Sequence, residues 1–185
     1  MHFSDKACHT PLQGDSIAFK KASSSSKSTT HEVKPKGTPR ERALAIVGDG
    51  KKLLDTGDAE GARAKFIEAT TVDPTMAQAF VGVGVTYYVR ERYDEALDWY
   101  KKAIDANPGV PDSYYNTACV YALRSTKSAD PSEQAELRKQ ALRYIRCALM
   151  NGYIDLKTLE EDEKGDLKAL KGDPTFEKYK KGETD

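Results

Sequence analysis

The sequence predicts an all-α fold: three stacked helical hairpins closed by short C-terminal helices. Three observations predict it. Apolar residues recur at helical spacing between positions 43 and 150. The pattern repeats at one constant step, the step from Gly50 to Gly84, and Asp73-Pro74 and Asn107-Pro108 punctuate it at that same step. No apolar run approaches the ~18 residues of a transmembrane helix.

Residues 1–42 carry eight Lys/Arg and four Asp/Glu, within a whole chain of 29 and 29. They hold Ser23-Ser24-Ser25-Ser26-Lys27-Ser28-Thr29-Thr30, then Pro35, Gly37 and Pro39. Such a stretch has too little apolar surface to offset its ordering entropy and reads as a disordered arm. Asp5, Lys6, His9, Gln13 and Asp15 interrupt every candidate for the apolar core of a secretory signal. A Ser-rich, weakly basic arm also fits an organellar transit peptide. The plain tail implies a cytoplasmic protein, the transit peptide an organellar one. Within the arm, Ile17-Ala18-Phe19-Lys20-Lys21 is the one spot suited to docking on another surface.

The repeat sets the hairpins. Gly50, Ala62, Phe66, Ala69 and Pro74 recur, all at the one step, as Gly84, Ala96, Tyr100, Ala103 and Pro108. Ile46, Phe80 and Tyr114 form one column, Leu53, Tyr87 and Tyr121 another, and Gly50, Gly84 and Ala118 a third. The units are therefore 43–76, 77–110 and 111–151. In the middle one, Phe80, Val83, Gly84 and Tyr87 share one helical face. Glu91-Arg92-Tyr93-Asp94 makes a polar turn, and Ala96, Leu97, Tyr100, Ala103 and Ile104 make a second face. Pro108 ends that helix, since proline cannot continue one and disfavours helix before itself. One such hairpin cannot bury its own apolar face, so neighbours must stack.

The set Gly84, Tyr87, Ala96, Tyr100, Ala103 and Pro108 resembles a tetratricopeptide repeat, and Gly50, Gly57, Ala62, Phe66, Ala69 and Pro74 resemble a second. The resemblance implies a right-handed superhelix whose first helices line a concave groove. In the third unit Ala141, Ile145 and Ala148 keep the alanine–bulky–alanine spacing of Ala96, Tyr100 and Ala103. They arrive late, because the step from Ala96 leads to Asp130 and the alanine stands only at Ala141. That delay places an insertion near 125–135. Asp130-Pro131 starts a helix, with the aspartate as cap, predicting a long helix from Pro131 to Met150. Beyond it, Ile154, Leu156, Leu159, Leu167, Leu170, Phe176 and Tyr179 are spaced irregularly between Gly165, Gly172 and Asp173-Pro174. This run resembles the segment closing bacterial and plastid arrays of the family, so 152–185 reads as a cap over the last hairpin.

No catalytic, cofactor or metal site is expected. His2, His9 and His31 all fall in the arm, where nothing holds a general base. Cys8, Cys119 and Cys147 are too scattered for a zinc site or a disulfide framework. Cys119 and Cys147 sit among apolar residues as small core side chains. Gly48-Asp49-Gly50-Lys51-Lys52 lacks phosphate-loop spacing and a preceding strand, so its glycines read as packing positions, as do Gly82 and Gly84. Glu160-Glu161-Asp162-Glu163 lacks the alternating ligands and glycine of a calcium loop and reads as solvated acidic surface. Zero net charge without a base-stacking motif argues against nucleic acid as partner.

The chain is therefore read as a non-catalytic protein-interaction module, an adaptor or assembly factor. Repeat register puts Val47, Lys51 and Leu54 of unit one in the groove. Unit two adds Gln78, Val81, Val85, Tyr88 and Val89. Unit three adds Asp112, Tyr115, Asn116, Cys119 and Leu123. Some family members grip a chaperone's C-terminal carboxylate with lysine, asparagine and arginine side chains. Val47, Lys51, Gly82, Asp112 and Asn116 stand at those positions, and an aspartate there repels a carboxylate. An apolar, aromatic-walled groove instead suits an amphipathic helix or an extended apolar peptide. Two other occupants stay open: the chain's own segments, or a second copy in a homodimer.

Overall fold

The computed structural model describes residues 37–152 and 156–184. Among them there is no strand, and the helices follow one another as antiparallel-connected hairpins: α1 (Pro39–Asp55) with α2 (Ala59–Val72), α3 (Ala77–Tyr88) with α4 (Tyr93–Ala106), and α5 (Pro111–Lys127) with α6 (Pro131–Met150). Two short helices, α7 (Leu156–Asp162) and α8 (Pro174–Tyr179), flank a 3₁₀ turn at Lys168–Leu170. The expected disorder of the arm, its transit-peptide alternative and the three histidines lie outside the described residues, up to position 36, as do 153–155.

The first helix begins at Pro39, ahead of the boundary expected at 43. Thr38 and Glu41 form a capping box. The Glu41 N–H donates to Thr38 Oγ1 (3.2 Å) and the Thr38 N–H donates to Glu41 Oε2 (2.7 Å). Pro39 occupies the first helical position, where its missing N–H costs nothing. Together they satisfy two otherwise orphaned backbone donors and fix the entry of the chain.

The packing reason for the glycine column is direct. A Cβ on Gly50 would lie 2.7 Å from the Phe66 ring, and one on Gly82 would lie 2.5 Å from the same ring. On Gly84 it would lie 2.4 Å from Tyr100. Phe66 and Tyr100 of the second helices therefore fit against backbone of the first helices, and both rings are fully buried. Gly48 differs from this expectation: nothing lies near it, so no close approach requires a glycine there.

The third hairpin absorbs its insertion in helix length. α5 has 17 residues against 12 in α3, and α6 has 20 against 14 in α4. Only 128–130 of the expected 125–135 segment stay outside helix. The Asp130 side chain accepts from the Ser132 N–H at the start of α6 (2.9 Å).

The same period also appears between hairpins. Arg90 pairs with Glu60, and one period later Arg124 pairs with Asp94 (2.8 Å). These exposed pairs contribute little stability, but they mark the same register twice. Gly57 turns the first hairpin at φ +85°, and its period mate Glu91 turns the second at φ +58°. A side chain in that left-handed region is strained by about 1 kcal/mol. Glu91→Gly is therefore expected to stabilise the fold by up to about 1 kcal/mol, read as a raised urea midpoint. An unchanged or lowered midpoint would mean that its surface pairing with Lys127 (2.5 Å) outweighs the backbone strain.

The C-terminal segment buries Leu159, Leu167, Leu170, Phe176 and Tyr179 in one cluster with Tyr144, Ile145 and Ala148 of α6. Lys180 Nζ closes it, donating to Glu163 and lying within ion-pair distance of Glu177, each at 2.9 Å. Arg146 Nε donates to the Thr184 carbonyl (2.9 Å). The same cluster contains Tyr115, Ala118, Cys119 and Ala122 of α5. The cap thus does more than cover the end of the last hairpin: it folds back across the concave side of α5.

Candidate functional site

Seven of the thirteen groove positions converge on one open cleft of about 240 Å³. Lys51 and Leu54 come from the C-terminal half of α1; Gln78, Val81 and Val85 come from α3; Asp112 and Asn116 come from the first turns of α5. Gly82 and the Phe66 ring complete the lining. Phe66 belongs to α2, a second helix, and reaches the cleft because Gly82 carries no side chain to cover its ring. Register alone assigns first-helix positions and so misses it. The signal is present in the sequence as glycines at 50 and 82 on successive first helices.

The cleft has a defined chemical layout. Leu54, Val81 and Val85 are half-buried and supply an apolar floor, with the Phe66 ring beneath. Lys51 and Asp112 are exposed and, among the described residues, are the only charged side chains in the lining. Gln78 and Asn116 offer amide donors and acceptors. Such a surface binds by apolar burial with a few orienting polar contacts.

Six positions fall elsewhere. Val47 is 2% exposed, and belongs to the core with Ala62, Phe66 and Met76. Ala43, Val47 and Gly50 form an i, i+4, i+7 face, and that face points at α2. Val89 is exposed at the end of α3, outside the cleft, and Leu123 does not line it. Tyr88, Tyr115 and Cys119 do face the concave side, but the cap lies on them. The Tyr88 hydroxyl donates to Asp166 Oδ2 and the Tyr115 hydroxyl to Asp162 Oδ2. Burial pushes the Tyr88 phenol well above its ordinary pKa, and the bond to Asp166 adds to that. Burial likewise raises the Cys119 thiol, with Asp166 and Asp162 contributing. Both groups therefore keep their protons at neutral pH: Tyr88 as a hydrogen-bond donor, Cys119 as a buried, free thiol. The C-terminal half of the concave surface is filled by the protein's own cap, and no other described residue fills the N-terminal half.

No group of three or more His, Cys, Asp or Glu side chains suited to a metal occurs among the described residues. No helix among them is long and apolar enough to cross a membrane.

The sequence profile of the tetratricopeptide repeat matches residues 49–111. The chain is 23% identical over 133 residues to the Photosystem I assembly protein Ycf3 of Rippkaea orientalis, covering 67% of this chain and 77% of that one. Its fold is similar to the crystal structure of MamA, with a TM-score of 0.54 at 18% identity over 76% of this chain and 75% of that one. It is also similar to the type III secretion translocator chaperone SycD of Yersinia enterocolitica, with a TM-score of 0.54 at 16% identity over 71% and 92%. With paired helices, glycine-and-ring packing repeated from one hairpin to the next and this profile match, residues 49–111 are a segment of tetratricopeptide repeats.

Proposed function

We propose that this protein is a non-catalytic adaptor or assembly factor that holds an extended apolar peptide of a partner protein in the open cleft. The observation that supports this reading most is the cleft's composition: an apolar floor from three helices, rimmed by one cation, one carboxylate and two amides. An extended chain presents alternate side chains to one face and leaves its backbone amides free to pair, which suits Gln78 and Asn116. The similarity to a protein named for photosystem assembly supports an assembly role. A chaperone-type carboxylate clamp fits poorly, because a terminal carboxylate would meet one lysine and one aspartate.

The test is selection of random displayed peptides on the full chain. The expected peptides carry two apolar residues at alternate positions. Lys51→Glu with Asp112→Lys, both surface changes, and Val85→Glu are each expected to weaken them by about tenfold or more, a loss of about 1.4 kcal/mol. Peptides that bind all variants equally would place the partner surface elsewhere.

A self-associating scaffold is the second reading. Leu44 is 60% and Ile67 41% exposed on the first hairpin, which has no described neighbour on that side. Light scattering over a hundredfold concentration range separates the two, since only the scaffold gains mass.

A further inference from the structure

We propose that residues 15–21 of the chain's own N-terminal arm dock in the cleft, so that an external peptide must displace them. This rests on reading the cleft as a peptide site, and it names the first occupant of that site.

Three observations select this segment. The first is apolar spacing. Ile17 and Phe19 stand two positions apart, so in an extended chain both side chains point to one face. The cleft floor of Leu54, Val81 and Val85 is the complementary surface. The second is charge order. The segment reads Asp15, then Ile17 and Phe19, then Lys20 and Lys21: acid, apolar pair, base. The cleft offers one cation, Lys51, on α1 and one carboxylate, Asp112, on α5, with the apolar floor of α3 between them. Both charges are exposed and neither has an ion-pair partner within the cleft lining. The segment supplies the opposite charge at each end.

The third is reach. Lys51 lies twelve positions along α1 from Pro39, which is about 18 Å at about 1.5 Å per residue. A random coil as long as the stretch between Lys21 and Pro39, residues 22–38, has a root-mean-square span of about 23 Å. Lys21 lies at the Asp112 end of the docked segment, six residues or about 20 Å beyond the Lys51 end. The tether can extend to at most about 56 Å, so it spans the whole path at an effective concentration of about 1 mM, the order found for short flexible linkers. A segment that binds with only about 100 μM affinity in trans would then occupy the cleft about ten-elevenths of the time in cis.

The experiment uses a fluorescein-labelled peptide of residues 13–23 and the full chain. The acceptor is the wild type or the full-length Ile17→Ser/Phe19→Ser variant, whose own arm cannot compete. The peptide is expected to bind the variant about tenfold more tightly than the wild type. Asp112→Lys in the variant background should abolish that binding, and a peptide with Lys20→Glu/Lys21→Glu should restore it. This charge exchange changes exposed side chains only, and circular dichroism checks that the helices remain. Equal affinity for wild type and variant, no binding to either, or binding indifferent to Asp112→Lys would each overturn the proposal. A wild-type chain that dimerises through exchanged arms would overturn it too, in favour of a second copy as occupant. Selected library peptides that still need the cleft would leave the peptide-binding reading standing even if the arm fails this test.

Discussion

Phe66→Ala is expected to destabilise the protein by about 3–5 kcal/mol, the largest effect of any single truncation in the first hairpin. The ring is 1% exposed and lies between Gly50 and Gly82, whose backbones approach it from two helices. Glycine has no side chain to move into the space left behind, so the cavity collapses poorly, and collapse is what lowers the cost of such changes. The loss should not spread evenly. In a stacked array each unit is held by its neighbours, and among the described residues α1 and α2 have a neighbour on one side only, the hairpin of α3 and α4. Hydrogen exchange is therefore expected to show α1 and α2 losing protection while α5 and α6, held by the cap, keep theirs. A uniform loss across all six helices would mean that the array unfolds as one unit and that the interface at Phe66 is not the weak joint. Phe66→Leu, which refills most of the volume, should recover more than half of the loss.

The same ring shows why the repeat was legible. A fixed repeat step forces the same contacts to recur, so Gly50 with Phe66 and Gly84 with Tyr100 appear in the sequence as matched columns. A glycine column and an aromatic column at a fixed offset are the imprint of one packing event made twice. The long α6 was legible for a local reason, since Asp130-Pro131 carries a cap and a first turn within two positions.

The concave surface was legible only as far as the repeat reaches. Register places Lys51, Leu54, Gln78, Val81, Val85, Asp112 and Asn116, and these seven do meet in one cleft. It places Val47 wrongly, because the first unit's face also has to close onto α2 and the start of α3. It cannot reveal that Tyr88 and Tyr115 are covered. Their partners Asp166 and Asp162 are 78 and 47 residues away, in a segment with no periodicity to align. The acidic run at 160–163 reads as solvated surface, yet Asp162 accepts a hydrogen bond from a nearly buried tyrosine. Long-range polar pairs between a repeat and a non-repeat leave no spacing signal in one sequence.

Undocking the cap is the second large effect. Leu167→Asp with Leu170→Asp is expected to release 156–184 from the concave face, because each leucine is fully buried and a carboxylate cannot be buried unpaired. Removing 152–185 altogether should do the same, with lower solubility from the exposed face of α5 and α6. The reporter is Cys119, 4% exposed and free. In the intact protein its thiol is held protonated by burial and by the nearby Asp166 and Asp162, so it reacts slowly. The sign follows from both causes at once. Releasing the cap admits water and removes the two carboxylates, the thiol pKa falls toward its ordinary value, and the reactive thiolate becomes commoner at a given pH. Modification of Cys119, followed by peptide mass mapping to separate it from the other cysteines, should accelerate by at least about tenfold at pH 8. Protection that survives undocking would mean that α3 and α5 alone shield the thiol and that the cap is a terminal cover only. Acceleration carries a consequence for binding. The uncapped groove gains Tyr88 and Tyr115 as new walls beyond Val85, so longer apolar peptides should tighten on the uncapped protein while short ones confined to the Lys51–Asp112 cleft should not. That length dependence distinguishes a cap that bounds the site from one that merely stabilises the fold.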